Sequence, residues 1–365
     1  MNAQVELLHH KGMKNHPLYL ALKGVREAHP KAGMRAWSQW LATPEGEIQA
    51  SRVGREKVWP LQDVFSICYR LAALKQVEVC TVNACGWHVS RGQFSAPDLY
   101  LDDPHRLGLQ FRLGQRRLLL MLDHWYWGCA VEEAGEQPQN LSLQFFDRQG
   151  HLLLKVQAVE GTDLDAWASL VDAFADYQNA SRPLFAATAG QAETGGEVLD
   201  PEALSLAWRR APDRTVLNRL IGQQGGDYLA VISRLDVGLA RGVAPSSLQH
   251  LLRQVIQLPS HPNHRPQLVF NLVSQGCQST LTGQPIRLGS TQDRDCSGWS
   301  GASACVLLSQ LDQAFVVRKP GAGAGWQTYL EVFDAWGRLA LSLTPSIDSK
   351  QAESLVLRDM INSLT

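Results

Sequence analysis

Residues 141–156, LSLQFFDRQGHLLLKV, and residues 328–343, TYLEVFDAWGRLALSL, decide the fold. Each stretch has apolar residues that alternate or run together on both sides of a short turn signal, which is the pattern of a β-hairpin. At a constant offset of 187 residues the two stretches share six identical residues: Leu143 with Leu330, Phe146 with Phe333, Asp147 with Asp334, Gly150 with Gly337, Leu152 with Leu339 and Leu154 with Leu341. The sequence therefore contains the same hairpin twice.

The repeat extends beyond this hairpin. The same offset pairs Leu61-Gln62 with Leu248-Gln249 in the preceding helical segments, and Gly92 pairs with Gly283 at an offset of 191. The three matches occur in the same order in both halves, which is the signature of an internal duplication. Two homologous lobes are predicted.

Each half begins with helical periodicity and continues with strand periodicity. The first half is helical over 35–74 and strand-like over 77–156, and the second half repeats this order over 202–258 and 267–342. We expect an α+β fold, a tandem duplication of a lobe in which helices pack on a large antiparallel β-sheet. The predicted organisation is a loosely ordered lead-in over 1–30, an N-terminal lobe over 31–180, a linker over 181–200 and a C-terminal lobe over 201–365.

Composition excludes several classes of protein. The formal net charge is −1, with 34 basic and 35 acidic residues, so a nucleic-acid binder is not expected. No apolar run reaches the length of a membrane span, and the first residues lack the apolar region of a secretory signal. The seven cysteines include no CxxC pair, which argues against a disulfide framework and a structural zinc site. These features predict a reduced, cytoplasmic protein.

Several segments resemble one known family. They are IQASRVG at 48–54, NACGWH at 83–88, FFDRQG at 145–150 with TDLDAWASL at 162–170, RKP at 318–320 and YLEVFDAWG at 329–337. Together with weaker matches from about residue 30 to 360, they are similar to the cytoplasmic hemin-binding and hemin-degrading proteins of the HemS type. The resemblance implies two tandem lobes, each with helices on a large antiparallel sheet.

The resemblance also implies a function in heme utilisation. The expected activity is binding or handing on heme in the cytoplasm, with heme as ligand or substrate. A catalytic member would cleave the porphyrin oxidatively, with iron activating oxygen or peroxide and an external electron donor. The alternative is a scaffold that has lost heme binding and serves as an interaction or regulatory module, or binds another flat hydrophobic anion. The resemblance leaves a homodimer open.

The family's heme ligand is a histidine shortly after the Trp-Arg pair that opens the second lobe. In this sequence the pair is Trp208-Arg209, and the ungapped match places Thr215 at the histidine position. Threonine is not a useful ligand for heme iron, because the axial groups that proteins use are His, Met, Cys and Tyr.

The family also places an arginine on a first-lobe strand about six residues before a tryptophan. Counting back from Trp125 gives Leu119, and Arg117 and Arg112 are the nearby substitutes that would stabilise a bound oxygen species. The competing interpretation is that these arginines, with Arg116, are ordinary solvated residues beside a hairpin turn.

Three further residues are candidates for contacting heme. His88 matches a first-lobe histidine that the family can use as an axial ligand, and its alternative is a strand histidine that is hydrogen-bonded or solvated. Arg318 and Lys319 can meet an anionic ligand or only line the sheet.

Overall fold

The computed structural model describes most of the chain. The described residues are 16–103, 106–135, 138–177, 183–186, 199–224, 227–258, 267–290, 294–299, 301–321, 325–347 and 354–365. Most of the predicted linker over 181–200 lies outside this set.

The first half contains five helices and nine strands among its described residues. The helices are α1 (Pro17–Ala28), α2 (Met34–Leu41), α3 (Glu45–Arg52), α4 (Val64–Arg70) and α5 (Leu164–Phe174). The strands are β1 (Val58–Leu61), β2 (Lys75–Asn83), β3 (Gly86–Gly92), β4 (Asp98–Asp103), β5 (Arg106–Leu113), β6 (Arg116–Met121), β7 (Trp127–Glu132), β8 (Leu141–Phe146) and β9 (Leu152–Thr162).

The second half repeats this order. Its helices are α6 (Pro201–Arg210), α7 (Arg214–Gln223), α8 (Tyr228–Ile232), α9 (Ser247–Gln257) and α10 (Leu355–Asn362). Its strands are β10 (Ala240–Val243), β11 (Leu268–Val273), β12 (Cys277–Gly283), β13 (Arg287–Ser290), β14 (Arg294–Trp299), β15 (Ala302–Leu307), β16 (Gln313–Pro320), β17 (Trp326–Phe333) and β18 (Leu339–Pro345).

The strands form two antiparallel sheets that exchange strands between the halves. The first sheet has the order β1-β7-β8-β9-β2-β3-β15-β14-β13, and the second has the order β10-β16-β17-β18-β11-β12-β6-β5-β4. Strand β15 pairs with β3, and β6 pairs with β12, so three strands of each half complete the sheet of the other. The α+β duplication is confirmed, and its two halves are interlocked.

The duplicated turn has the same geometry in both halves. In the β8–β9 turn, one carboxylate oxygen of Asp147 accepts hydrogen bonds from two backbone N–H groups, and Gly150 takes a positive φ of 81°. In the β17–β18 turn, Asp334 accepts the equivalent pair and Gly337 has a φ of 73°. Glycine is favoured at such a position because it has no Cβ. The hairpin that identifies the repeat is therefore fixed by an aspartate and a glycine.

The sheets pack face to face through their inner surfaces. Phe111 and Leu118, from the exchanged strands β5 and β6, are buried in one core cluster with Val79 and Phe145 of the first sheet and with residues of α4 and α5. An equivalent cluster joins α9 and α10 to the second sheet, with Trp299 of β14 contributed from the first sheet. Burial of this apolar surface couples the two halves.

Helices also cover the outer face of each sheet. Helix α3 packs on β1 and β7, and α6–α8 pack on β10, β16 and β17. The buried Arg52 fixes α3, since its guanidinium bonds both oxygens of Glu133 at 2.7 Å and one oxygen of Glu56 at 2.7 Å. Two-point bonding of this kind sets orientation as well as contact.

Helix α1 lies inside the segment predicted as a loosely ordered lead-in. Pro17 occupies its first turn, where no backbone N–H is needed, and Leu22 is fully buried. Arg26 bonds Glu56 at 2.9 Å, which ties the helix to the residues after α3. The first 15 residues of the chain lie outside the described part.

One feature of the cysteines differs from the sequence prediction. Cys296 and Cys305 face each other across β14 and β15 and form a disulfide, while Cys68, Cys80, Cys85, Cys129 and Cys277 are free. The expectation of a fully reduced chain is wrong at this pair. None of the described helices is long and apolar enough to cross a membrane.

Candidate functional site

The structure places Arg112 and Arg117 opposite each other on β5 and β6, both exposed on the outer face of the second sheet. From Arg117 a row of polar side chains runs across this face through Thr280 and Asn271 to Ser342, in register from strand to strand. The Thr280 hydroxyl donates to Asn271 Oδ1 at 2.7 Å, and Asn271 Nδ2 donates to the Ser342 hydroxyl at 3.1 Å.

Lys319 lies at the far end of the same face. Five strand positions separate β16 from β6, which is roughly 24 Å at the usual strand spacing. Its ammonium is 2.5 Å from a carboxylate oxygen of the buried Glu331, whose other oxygen accepts from the Tyr228 hydroxyl. A ligand carboxylate would have to displace Glu331, and the long separation from Arg117 keeps the two predicted cationic groups apart.

Arg318 does not lie on the same face of the sheet as Lys319. Successive side chains of a strand point to opposite faces, and Arg318 lies instead against the ring of Trp326, 5.7 Å from its centroid. Its carbonyl accepts a hydrogen bond from the indole of Trp208 at 2.8 Å. This contact joins α6 to the sheet, so the Trp-Arg pair that opens the second lobe has a structural role.

Thr215 is the second residue of α7, which Asp213 caps through a hydrogen bond from the backbone N–H of Val216. Its side chain lies outside the described part of the structure. The family's ligand position is thus at a helix start on the outer side of the second sheet, with threonine in place of histidine.

His88 lies between the sheets, where its side chain is fully buried. Its Nδ1 is 3.0 Å from the Ser279 hydroxyl, its ring packs edge-on against Phe270, and its Nε2 is buried without a hydrogen-bond partner. Burial, together with the nearby Arg116 guanidinium, lowers the pKa of His88 well below its usual value. Its role as a ligand stays a prediction, but heme could reach it only if the sheets separated.

The interpretation of Arg116 as a solvated residue is wrong, because its side chain is buried beside His88. Its guanidinium donates to the Ser279, Ser90 and Thr81 hydroxyls at 2.7, 2.9 and 2.5 Å and to the Val79 carbonyl at 2.7 Å. Burial lowers its pKa to about 10. All these partners are neutral, so this arginine bonds the two sheets together without forming an ion pair.

A cavity of about 460 Å³ opens where the two halves meet, and we call it the lobe-junction cavity. It lies between α2–α3, the β2–β3 and β8–β9 turns, and the β11–β12 and β17–β18 turns of the other half. Its wall includes Arg35, Glu45, Asp147, His151, Leu152, Leu153, Val273, Asp334, Trp336, Arg338 and Leu339. Its volume is within the usual range for small-molecule sites.

Two equivalent residues of the duplicated turn face this cavity. His151 Nδ1 is 3.1 Å from one oxygen of Asp147, and Arg338 Nε donates to Asp334 at 2.9 Å. Because His151 and Arg338 occupy the same position of the repeat, one aspartate orients an imidazole and the other a guanidinium. The cavity wall therefore carries a potential metal ligand and a cation at related positions.

Arg35 and Glu45 provide the remaining charges. Arg35 Nη2 donates to the Asn83 and Ala84 carbonyls at 3.2 and 3.3 Å, while its Nη1 is buried with no hydrogen-bond partner. Burial lowers the pKa of Arg35, an effect that Glu45 opposes. Burial also raises the pKa of Glu45, and electrostatic interactions with Arg35, Lys155 and His151 partly offset this increase.

Helix α3 holds Glu45 beside His151 through a close contact with the β8–β9 turn. The Gly46 N–H donates to the Gly150 carbonyl at 2.8 Å. A Cβ on Gly46 would lie 2.9 Å from the Gly150 backbone, so only glycine permits this approach.

A family model described as the haemin-degrading HemS.ChuX domain matches residues 43–174. The hemin transport protein HemS of Yersinia enterocolitica is 25% identical over 328 residues, which cover 89% of this chain and 90% of that protein. The hemin transport protein HmuS of Yersinia pestis is 24% identical over 96% of this chain and 98% of its own length. Over most of its length the chain is similar to hemin transport proteins of the HemS type.

Solved structures show that the HemS-like fold extends over the whole chain. Holo-PhuS, a heme-binding protein from Pseudomonas aeruginosa, matches with a TM-score of 0.82 at 23% identity, covering 95% of this chain and 98% of that one. The heme-degrading enzyme ChuS of Escherichia coli O157:H7 matches with a TM-score of 0.83 at 21% identity and the same coverage. Both likenesses concern the fold.

At the position that the resemblance assigned to the ligand the chain has threonine, and Lys319, which contacts Tyr228 of α8, is paired with Glu331. The lobe-junction cavity has an imidazole, the Arg35 guanidinium, and Arg338, which is paired with Asp334, beside apolar side chains. Among the described residues no cluster of three or more His, Cys, Asp and Glu side chains could bind a bare metal ion. Iron carried in a porphyrin needs only one such ligand.

Sequence reasoning missed His151, Arg35 and Glu45. His151 is one residue beyond the turn glycine of the stretch that identifies the repeat, where a lone histidine has no motif spacing. The available signal was the alignment of the two hairpins, which pairs His151 with Arg338. That pairing marks a position at which both copies of the turn have a polar side chain.

Proposed function

We propose that this protein binds heme in the lobe-junction cavity and hands it on within the cytoplasm. The observation that carries the proposal is the cavity itself, which joins apolar walls to Arg35, Arg338 and an aspartate-oriented histidine. Heme is a flat apolar ring with two carboxylates and an iron, so it matches these three features. The names of the relatives, hemin transport proteins and a heme-binding protein, support the same ligand.

Heme transfer is proposed over heme degradation because neither arginine that the resemblance assigned to bound oxygen lies in the cavity, and the arginines of its wall, Arg35 and Arg338, are held by backbone carbonyls and by Asp334. A degrading enzyme needs a hydrogen-bond donor beside the iron to orient bound oxygen. Arg112 and Arg117 lie on the outer face of the second sheet and do not line the cavity. The proposal therefore assigns this chain binding and delivery, with a homodimer as a further part of the proposal.

Titration of the purified protein with hemin tests the function. We expect a Soret band that saturates at one hemin per chain, and transfer of that hemin to an excess of apomyoglobin. Weak binding that does not saturate would instead support the alternative, a scaffold that has lost heme. Bovine serum albumin, which takes up hemin without this fold, is the control for the transfer step.

A further inference from the structure

We propose that His151 is the protein ligand to the iron of heme in the lobe-junction cavity, and that Arg35 binds a heme carboxylate there. This inference rests on the proposed function and assigns residues to it. It differs from the family position at Thr215 and from His88, the histidine predicted from the sequence.

Asp147 holds the His151 ring in one orientation. Asp147 bonds Nδ1 through one oxygen, and its other oxygen accepts from the backbone N–H groups of Gln149 and His151 at 2.9 and 2.8 Å. With Nδ1 paired to a carboxylate, Nε2 is the unprotonated nitrogen of the neutral ring. Metal-binding histidines in proteins usually have their second nitrogen paired in this way.

Nε2 of His151 remains available to a ligand. The side chain is 50% exposed, and no described residue makes a hydrogen bond to Nε2. His88 is the opposite case, because its free nitrogen is sealed between the sheets. Of these two histidines, His151 is the one that can meet an iron without a change in the fold.

Nη1 of Arg35 is buried in the cavity wall without a hydrogen-bond partner. A buried donor without a partner is unfavourable, so a wall that keeps one is suited to an acceptor from a ligand. A carboxylate is the natural acceptor for a guanidinium. Arg35 is also fixed in place, since its other terminal nitrogen bonds two carbonyls and its guanidinium stacks on Trp87 at 5.1 Å.

Part of the cavity wall is apolar. Val273 and Leu339 are half-buried, whereas Leu152 and Leu153, which follow His151 along β9, are already buried within the protein. Trp336, with 59% of its surface exposed, lies at the same cavity; the Arg338 guanidinium covers one face of its ring, 4.9 Å from the centroid, and the other face is offered to a flat ligand. A porphyrin bound here would cover the exposed surface of Trp336, Val273 and Leu339.

The test compares the hemin spectra of four proteins: wild type, His151→Ala, Arg35→Gln and the control His124→Ala. His124 is a partly exposed histidine, with 37% of its side chain exposed against 50% for His151, and it does not line the cavity. We expect His151→Ala to lose the absorption and electron paramagnetic resonance signature of histidine-ligated ferric heme and to bind hemin at least about tenfold more weakly. Added imidazole should restore the signature, and His124→Ala should match wild type.

A porphyrin without iron separates the two roles. Metal-free protoporphyrin IX should bind wild type and His151→Ala equally, because it has no iron to ligate, whereas Arg35→Gln should weaken the binding of both porphyrins. If wild type binds hemin and His151→Ala gives the same spectrum and affinity, the ligand assignment is overturned while the proposed function stands. If wild type itself does not bind hemin saturably, the proposed function fails first.

Discussion

His151 and His88 show how the surroundings of an imidazole decide what it can do. The same ring is bonded to a carboxylate at the cavity wall in one case and to a hydroxyl between two sheets in the other. The first arrangement leaves a basic nitrogen accessible, and the second excludes both solvent and ligand. The sequence resemblance indicated His88 because it compares positions along the chain and contains no information about burial.

The burial of His88 predicts an acid-sensitive fold. In the unfolded chain its pKa is about 6.5, but in the folded protein burial and Arg116 hold the pKa well below that value. Below pH 6.5 the unfolded state therefore binds the proton first, so stability is complete above this range and falls as the pH decreases. Between pH 7 and pH 5 we expect protonation of His88 in the unfolded chain to lower the free energy of unfolding by up to about 2 kcal/mol.

Urea unfolding at both pH values measures this loss. His88→Phe, which keeps an aromatic ring against Phe270, should lack the His88 contribution, while the variant His124→Phe, at a partly exposed site, should retain it. Equal acid sensitivity in wild type and His88→Phe would show that the folded protein protonates this imidazole freely.

At the scale of elements, the duplicated hairpin and its partner helix build the cavity. Helix α3 is fixed at its C-terminal end by Arg52 and at its N-terminal end by the contact between Gly46 and Gly150. These two contacts place Glu45 next to His151. The sequence predicted the hairpins well, because alternation, an aspartate and a glycine are local signals. It did not predict the helix contact, since nothing near Gly46 in the sequence indicates which turn it will meet.

Gly46→Ala tests the contact. The new Cβ would lie 2.9 Å from backbone atoms that cannot rotate away, so α3 must move off the turn. We expect a loss of about 1–3 kcal/mol in the free energy of unfolding, the usual cost of overpacking, and weaker binding of hemin. Gly24→Ala in α1 is the matched control, because its Cβ meets no atom within 4 Å and alanine favours a helix. A Gly46→Ala protein as stable as wild type would contradict the close contact.

At the scale of the whole molecule, duplication and strand exchange act together. The sequence predicted two homologous lobes, and the structure confirms the duplication. The exchange could not be predicted from the sequence. The local pattern of β6 is compatible with pairing to β3 of its own half or to β12 of the other half, and the same holds for β15. The observed pairing is determined by burial of the inner faces of the sheets, which brings together residues far apart in the chain. The cavity exists only because the turns of both halves meet.

Strand exchange predicts that neither half folds alone as a monomer. Residues 16–177 expressed alone would leave β3 without β15 and the strands β4–β6 without β12. Unpaired strand edges and an uncovered apolar face favour association, so we expect the isolated half to form dimers or aggregates. Produced together with residues 199–365, it should copurify as a one-to-one complex that unfolds in a single transition like the intact chain. Size-exclusion chromatography with light scattering and thermal circular dichroism provide the measurements. A stable, cooperatively unfolding monomer of either half would mean that the exchanged strands are dispensable, and the lobe-junction cavity would then be a contact between independent domains.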